Sequence, residues 1–307
     1  MIGGMESAIA LEGVVKRYGE LVAVDGISLE IALGRTVALL GANGAGKSTT
    51  VGLLMGLLRP DAGRVAVCGG TPRAAVRAGR IAAMSQDNGP MPGVTVGELV
   101  ALAGGMYPVP LRVEEVLELA GLRELARRRV ERLSGGQAQR LKFALVAVAN
   151  PAILVLDEPT RALDVRARQE FWAAMRRWAA AGRTVVFATH YLDEVDDNAD
   201  RVVVLARGRV VADGDPARIR ASGGGRVVRF RVAPGVTLPG LPGEVTREDD
   251  RATIRTDDSD AVVRRLVASS IAWSDLRVDQ PSLDDSFLAL TDQPSAATLD
   301  TGEVQVP

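Results

Sequence analysis

Residues 41–48 read Gly-Ala-Asn-Gly-Ala-Gly-Lys-Ser. They fit the pattern G-x-x-x-x-G-K-[S/T] in full, after an apolar stretch suited to a strand and before a helical one. Gly41, Gly44 and Gly46, with Asn43 and Ala45 between them, let the backbone wrap phosphates. The amides of this loop, together with the helix start at Ser48 and Thr49, supply positive potential. Lys47 would reach the β- and γ-phosphates, and Ser48 would ligate Mg2+. A glycine-rich turn before a core helix would explain the glycines but not the lysine. The chain has only three lysines, Lys16, Lys47 and Lys142, in a basic complement that is otherwise arginine.

A second group supports the first. Residues 153–158, Ile-Leu-Val-Leu-Asp-Glu, form an apolar run that ends in two carboxylates. Asp157 at the strand end would hold Mg2+ through water, and Glu158 would orient or deprotonate an attacking water. Such acids also cap helices. Behind a strand buried on both faces, and beside a lysine loop, the metal reading is the better one. His190, the only histidine, ends the run Thr-Val-Val-Phe-Ala-Thr-His. A lone histidine is more often structural. At the carboxyl end of a parallel strand, where α/β sites gather, it reads as a contact to the γ-phosphate.

Ser134, Gly135, Gly136 and Gln137 open another helix without a lysine. Their hydroxyl and amides form a second anion-binding helix start. A helical insert separates it from the first cradle, so one phosphate chain does not easily reach both within one compact domain. The economical arrangement is two copies that sandwich two ATP molecules head to tail, each site built from residues 41–49 of one chain and 134–137 of the other.

These residues need a scaffold. Strands are expected at 9–16, 27–31, 36–40, 65–68, 81–85, 153–156, 184–188 and 201–205, with turns at Gly26, Gly34 and Arg35. Helices are expected at 47–58, 95–103, 113–119, 136–149, 166–180 and 193–198. Strands alternating with helices predict an α/β fold with a parallel central sheet. The run Ser222-Gly223-Gly224-Gly225 reads as a linker. Beyond it, strands at 227–232, 251–256 and 273–278 and helices at 260–268 and 283–290 make a small α+β unit. The domains are therefore expected at 1–222 and 226–291, with a polar, disordered tail at 292–307.

Composition narrows the function classes. Acidic and basic residues nearly balance, with a formal net charge of −1, which argues against a nucleic-acid partner. No apolar run approaches a membrane span of roughly 18–20 residues. The N-terminus lacks a basic region followed by a long apolar segment, so it does not read as a secretory signal, and a cytoplasmic location is expected. The single cysteine, Cys68, excludes an internal disulfide and a cysteine metal cluster.

Residues 133–140, LSGGQAQR, resemble the signature motif of the ATP-binding cassette ATPases, and the resemblance covers about residues 8–220. It implies the P-loop NTPase fold with an antiparallel N-terminal β subdomain and a helical signature subdomain. It implies that Tyr18 stacks on adenine and that Gln86 senses Mg2+ and contacts the transporter. It also places Asp164 at a dimer interface and makes His190 the switch histidine. Two positions near Asp164 depart from the family, Ala162 for a glycine and Val165 for a proline. If position 162 needs a positive φ, alanine there costs strain, which reads as tuned dimer coupling rather than lost activity. Ala42 stands where proline is common. Residues 281–291, PSLDDSFLALT, resemble the C-terminal extension of ABC-2 type, daunorubicin-resistance-like exporter ATPases, although an amphipathic helix packing on the small domain would look the same.

The resemblance implies an ATPase subunit that energises a separate permease. It would export drug, antibiotic or lipid-like cargo from the cytoplasmic face of the membrane, paired with a second copy of the chain. Residues 87–96 and the helical insert after them are the expected grip on the permease. An importer ATPase would share the core, and a soluble, non-transport cassette would more often carry two cassettes in one chain. A P-loop kinase would lack the SGGQ run. A non-hydrolysing binding module would have lost Glu158 or His190.

Overall fold

The computed structural model describes residues 7–84, 91, 93–161, 163–222 and 225–279. Gln86, Ala162, residues 87–90 and 92 of the stretch ahead of the insert, and the whole stretch 281–307 with its expected helix and tail lie outside the described residues.

In chain order the elements are β1 (Ser7–Tyr18), β2 (Leu21–Ala32), β3 (Thr36–Leu40), α1 (Lys47–Leu54), β4 (Ala62–Val67), α2 (Pro72–Arg77) and β5 (Ile81–Met84). The insert follows with α3 (Val96–Gly104), α4 (Val113–Leu119) and α5 (Gly135–Ala147). Then come β6 (Ile153–Asp157), α6 (Val165–Ala180), β7 (Thr184–Thr189), α7 (Leu192–Asn198), β8 (Arg201–Ala206), β9 (Arg209–Gly214) and α8 (Pro216–Ser222). The last are β10 (Arg226–Val232), β11 (Glu244–Glu248), β12 (Arg251–Thr256), α9 (Ser259–Ala268) and β13 (Trp273–Asp279). The chain divides into two compact units, Met1–Pro216 and Ala217–Pro307.

The first unit carries a six-stranded sheet in the order β5-β6-β7-β3-β8-β9. Its strands are parallel except for β9, which returns antiparallel to β8. Every residue of β6 and β7 is buried, as continuous apolar runs covered on both faces require. Register aligns Leu40 with Thr189 and Asp157 with Ala188. The carboxyl ends of β3, β7 and β6 therefore emerge side by side, where ligands bind in open α/β sheets.

A separate antiparallel sheet, β2-β1-β4, leads into this core. β2 is longer than the sequence reading had it. Gly26, expected to mark a turn, lies inside the strand at φ 70, where the β1–β2 register shifts between Val14↔Ile27 and Lys16↔Val24. It accommodates a bulge rather than ending the strand. The helix expected at 47–58 stops at Leu54, because Gly56 turns left-handed at φ 64.

In the insert, Thr95 and Glu98 form a reciprocal capping box on α3. A series of edge-to-face rings ties α5 to the sheet. Phe143 meets Phe171 at 5.7 Å, Phe171 meets Trp172 at 5.7 Å, and Trp172 meets Phe187 of β7 at 4.7 Å. Each such pair adds about 0.5–1.5 kcal/mol beyond its buried area. The ring series holds α5, and the helix start at Ser134, in fixed relation to the sheet.

The second unit is an antiparallel sheet in the order β11-β12-β10-β13 with α9. Val228, Phe230, Ala252 and Ile254 on one sheet face pack with Val262 and Leu266 of α9. Asp258 caps α9 by accepting from the Ala261 amide at 2.9 Å.

Candidate functional site

The loop after β3 is drawn tight against its neighbours. A Cβ on Gly41 would lie 2.7 Å from the Leu205 carbonyl oxygen. One on Gly46 would lie 2.5 Å from the Ala23 carbonyl oxygen, at a φ of 102 that disfavours any side chain. Gly46 is the N-cap of α1, and no side chain caps that helix. The amides of Gly46, Lys47, Ser48 and Thr49 make no hydrogen bond to the described residues. They form an open helix start of the kind that binds anions.

Lys47 is buried, and its Nζ donates to the carbonyls of Gly41 at 2.6 Å and Ala42 at 3.2 Å. Burial pulls its pKa below 10.5, against the opposing pull of Glu158 and Asp157. The ammonium is hydrogen-bonded by neutral carbonyls and not by either carboxylate, and a phosphate would supply a directly bonded countercharge. Ser48 Oγ donates to Asp157 Oδ2 at 3.0 Å. The described residues hold no cluster of three or more His, Cys, Asp or Glu side chains that could hold a metal by themselves. One hydroxyl and one carboxylate suit a Mg2+ ion that takes its remaining ligands from phosphate and water.

Glu158 has a φ of 50, unusual for a residue with a side chain, and its amide donates to Ala188 at 2.9 Å. Such backbone strain costs about 1–3 kcal/mol and concentrates at functional sites. The conformation turns the side chain toward β7. His190 Nδ1 lies 2.8 Å from Glu158 Oε1. Glu158 Oε2 is buried and has no hydrogen-bond partner among the described residues, which suits it to take up a water at the cleft. Tyr18, Leu21, Ala23, Ala42, Asn43, Gly44, Gly46, Lys47, Ser48, Thr49, Asp157 and Glu158 line one cleft. Tyr18 and Leu21 are exposed at its rim, where they offer an apolar platform for a flat base.

Known proteins bear on this geometry. Residues 24–161 match the family model described as ABC transporter. The chain is 37% identical over 307 residues to the daunorubicin resistance ATP-binding protein DrrA3 of Streptomyces coeruleorubidus, covering 93% of this chain and 96% of that one. The chain belongs to the ATP-binding cassette family. A match of that extent takes in the second unit as well. The cassette is also 39% identical over 224 residues to the Nod factor export ATP-binding protein I of Paraburkholderia xenovorans, over 71% of this chain and 74% of that one. A solved dimeric cassette in a post-hydrolysis state with ADP and Pi superposes with a TM-score of 0.61 at 26% identity, over 67% of this chain and 98% of that one. The cassette is thus an ATP-binding, ATP-hydrolysing subunit of the ABC transporter type.

Not every residue singled out from the sequence meets at the cleft. Ser134, Gly135, Gly136 and Gln137 are absent from its lining. They form a complete capping box on α5. Ser134 Oγ accepts from the Gln137 amide at 3.3 Å, and Gln137 Oε1 accepts from the Ser134 amide at 3.0 Å. The amides of Gly135 and Gly136 have no acceptor among the described residues. Asp164 is exposed and caps α6, accepting from the Ala167 amide at 2.8 Å. Val165 opens α6 and is exposed.

Sequence reasoning missed the His190–Glu158 contact and Leu21. It also missed Glu194, which is buried in α7. Only the position of Leu21, three residues after Tyr18 across a tight turn, signals the platform.

Proposed function

We propose that this cassette powers a membrane exporter of drug, antibiotic or lipid-like cargo, closing as a pair over two ATP molecules and driving a separate permease. The observation that carries this reading is the convergence of the Lys47 loop, the Ser48–Asp157 pair and the Glu158–His190 pair at adjacent strand ends. A daunorubicin resistance ATP-binding protein at 37% identity and a Nod factor export ATP-binding protein at 39% support the direction of transport.

Lys47 moves from its loop carbonyls onto the β- and γ-phosphates, and the amides of residues 46–49 bind the same oxygens. Tyr18 and Leu21 hold the base. Ser48 and Asp157 would hold Mg2+, which would neutralise charge on the phosphate oxygens. Glu158 accepts the proton of the attacking water through Oε2, while His190 fixes Oε1 and faces the γ-phosphate. Gln86 and Asp164 would report the nucleotide to the permease and to the partner cassette.

The second copy completes each site. Its capping box is closed in upon itself, and the amides of its Gly135 and Gly136 would donate to a γ-phosphate. A copy of the same chain is the simplest partner. None of the described helices is long and apolar enough to cross a membrane, so a separate permease would place the cassette at the cytoplasmic face. Leu102, Met106 and Val109 leave 56%, 79% and 71% of their surface exposed on α3 and the turn beyond it. This apolar patch on the insert suits contact with permease helices.

The test is light scattering on Glu158→Gln protein with and without Mg-ATP. An ATP-dependent doubling of mass that Ser134→Arg abolishes is the expected result. A monomer that still binds ATP would overturn the homodimer.

A further inference from the structure

Glu194 does not touch the cleft, yet its carboxylate is 3% exposed and fully engaged. Oε1 accepts from Thr160 Oγ1 and lies 3.5 Å from Arg168 Nε. Oε2 accepts from Thr189 Oγ1 at 3.3 Å. Burial raises the Glu194 pKa, and the Thr160 and Arg168 contacts oppose that rise. A buried carboxylate is costly unless several donors satisfy it.

The donors come from opposite sides of the site. Thr160 stands two residues beyond Glu158, in a turn closed by the Leu163 amide on the Thr160 carbonyl at 2.9 Å. Thr189 immediately precedes His190, and its Oγ1 also accepts from the Tyr191 amide at 3.0 Å. One hydroxyl thus pins the backbone on both sides of His190. Arg168 adds a second path: its guanidinium lies 5.5 Å from the Tyr191 ring, which lies 4.0 Å from the His190 ring.

We propose that Glu194 is a positioning residue for the Glu158–His190 pair, its single carboxylate tying the loop of Glu158 to the turn of His190. The proposal rests on the reading above that this pair acts on the attacking water. Without the tie, the only side-chain hydrogen bond between the two loops among the described residues is the Glu158–His190 contact itself.

The chain's single histidine makes the test direct, because selectively labelled full-length protein gives one set of imidazole NMR signals, and they belong to His190. In nucleotide-free Glu194→Ala protein these signals shift and broaden relative to the wild type. ATP turnover falls about tenfold with KM for ATP unchanged, in keeping with the sensitivity of catalysis to small misplacements. Glu194→Gln, which keeps the acceptor for Thr160, returns the signals toward the wild-type position and restores turnover to within about threefold. Should Glu194→Ala not fold, Thr160→Val removes one donor at constant volume from the loop opposite His190, and it also shifts the His190 signals. Unchanged His190 signals in a folded Glu194→Ala or Thr160→Val protein would overturn the proposal. So would Gln and Ala variants equally depressed in turnover. A wild type with no turnover at all would sink the hydrolytic reading, leaving the His190 signals to decide the positioning role.

Discussion

The two glycine-rich helix starts, at Gly46 and at Ser134, look alike in sequence and differ in how their orphan amides are met. At Gly46 the N-cap has no side chain to offer, and the first-turn amides have no acceptor among the described residues. At Ser134 the capping box satisfies two amides internally and leaves only those of Gly135 and Gly136. The first start is held open by tertiary packing around glycines that tolerate no Cβ. The second is a stable helix terminus that can exist without a ligand. An anion is integral to the first and conditional, on the arrival of a second copy, at the second.

Four substitutions test that contrast. Lys47→Met should weaken ATP binding by about a hundredfold, through loss of charge-assisted contacts worth roughly 1.5–3 kcal/mol each. Ser134→Ala should leave ATP binding to the isolated cassette within about twofold, as calorimetric titration would register. Equal losses in both would erase the distinction. Next, Gly46→Ala should destabilise the fold by about 2 kcal/mol or more, since the new Cβ meets a backbone oxygen at positive φ. Gly135→Ala, with nothing within 4 Å of its Cβ, should be neutral in denaturant melts and should still block ATP-dependent pairing, because the bulk faces the partner. A folded Gly135→Ala protein that pairs normally would count against a phosphate at this start. Ser134→Ala should itself cost about 1 kcal/mol, the usual loss for a removed cap.

The smallest effect is a pH dependence. Folding lowers the Lys47 pKa below 10.5, so the unfolded chain binds more protons than the folded one between the lowered value and 10.5. Charged Lys47 therefore costs the nucleotide-free fold stability at neutral pH, and that cost fades as pH rises through the window. Lys47→Met should be at least as stable as the wild type near pH 7, and the difference between their denaturant midpoints should shrink toward pH 10. A gap that widened instead would mean that Lys47 stabilises the empty fold.

Legibility of the fold followed the type of burial. β3, β6 and β7 were readable because strands covered on both faces need uninterrupted apolar runs. β9 and β11 were not. β9 alternates exposed and half-buried residues on an edge, and Arg209 to Gly214 reads as well as a polar loop. β11, Glu244–Glu248, is mostly charged and holds its place by pairing with β12. Gly26 misled because a glycine inside a strand signals a bulge and a turn equally.

At the site, the Lys47 loop, Asp157, Glu158 and His190 were each legible as types at meaningful spacings. Their meeting was inferred from strand ends rather than seen. Glu194 was not legible, standing among Asp193, Asp196, Asp197 and Asp200 with nothing local to mark it as the buried acid. The residues by themselves determined that phosphate would be gripped and where the carboxylates sat, because amide-lined loops and strand-end acids are local chemistry. The pairing of Glu158 with His190, the left-handed turn that aims it, and the burial of Glu194 between Thr160 and Thr189 were decided only by the tertiary structure. The Glu158–His190 and Thr160–Glu194 contacts join segments more than thirty residues apart along the chain, and only the parallel register of β6, β7 and β3 brings their ends to one edge.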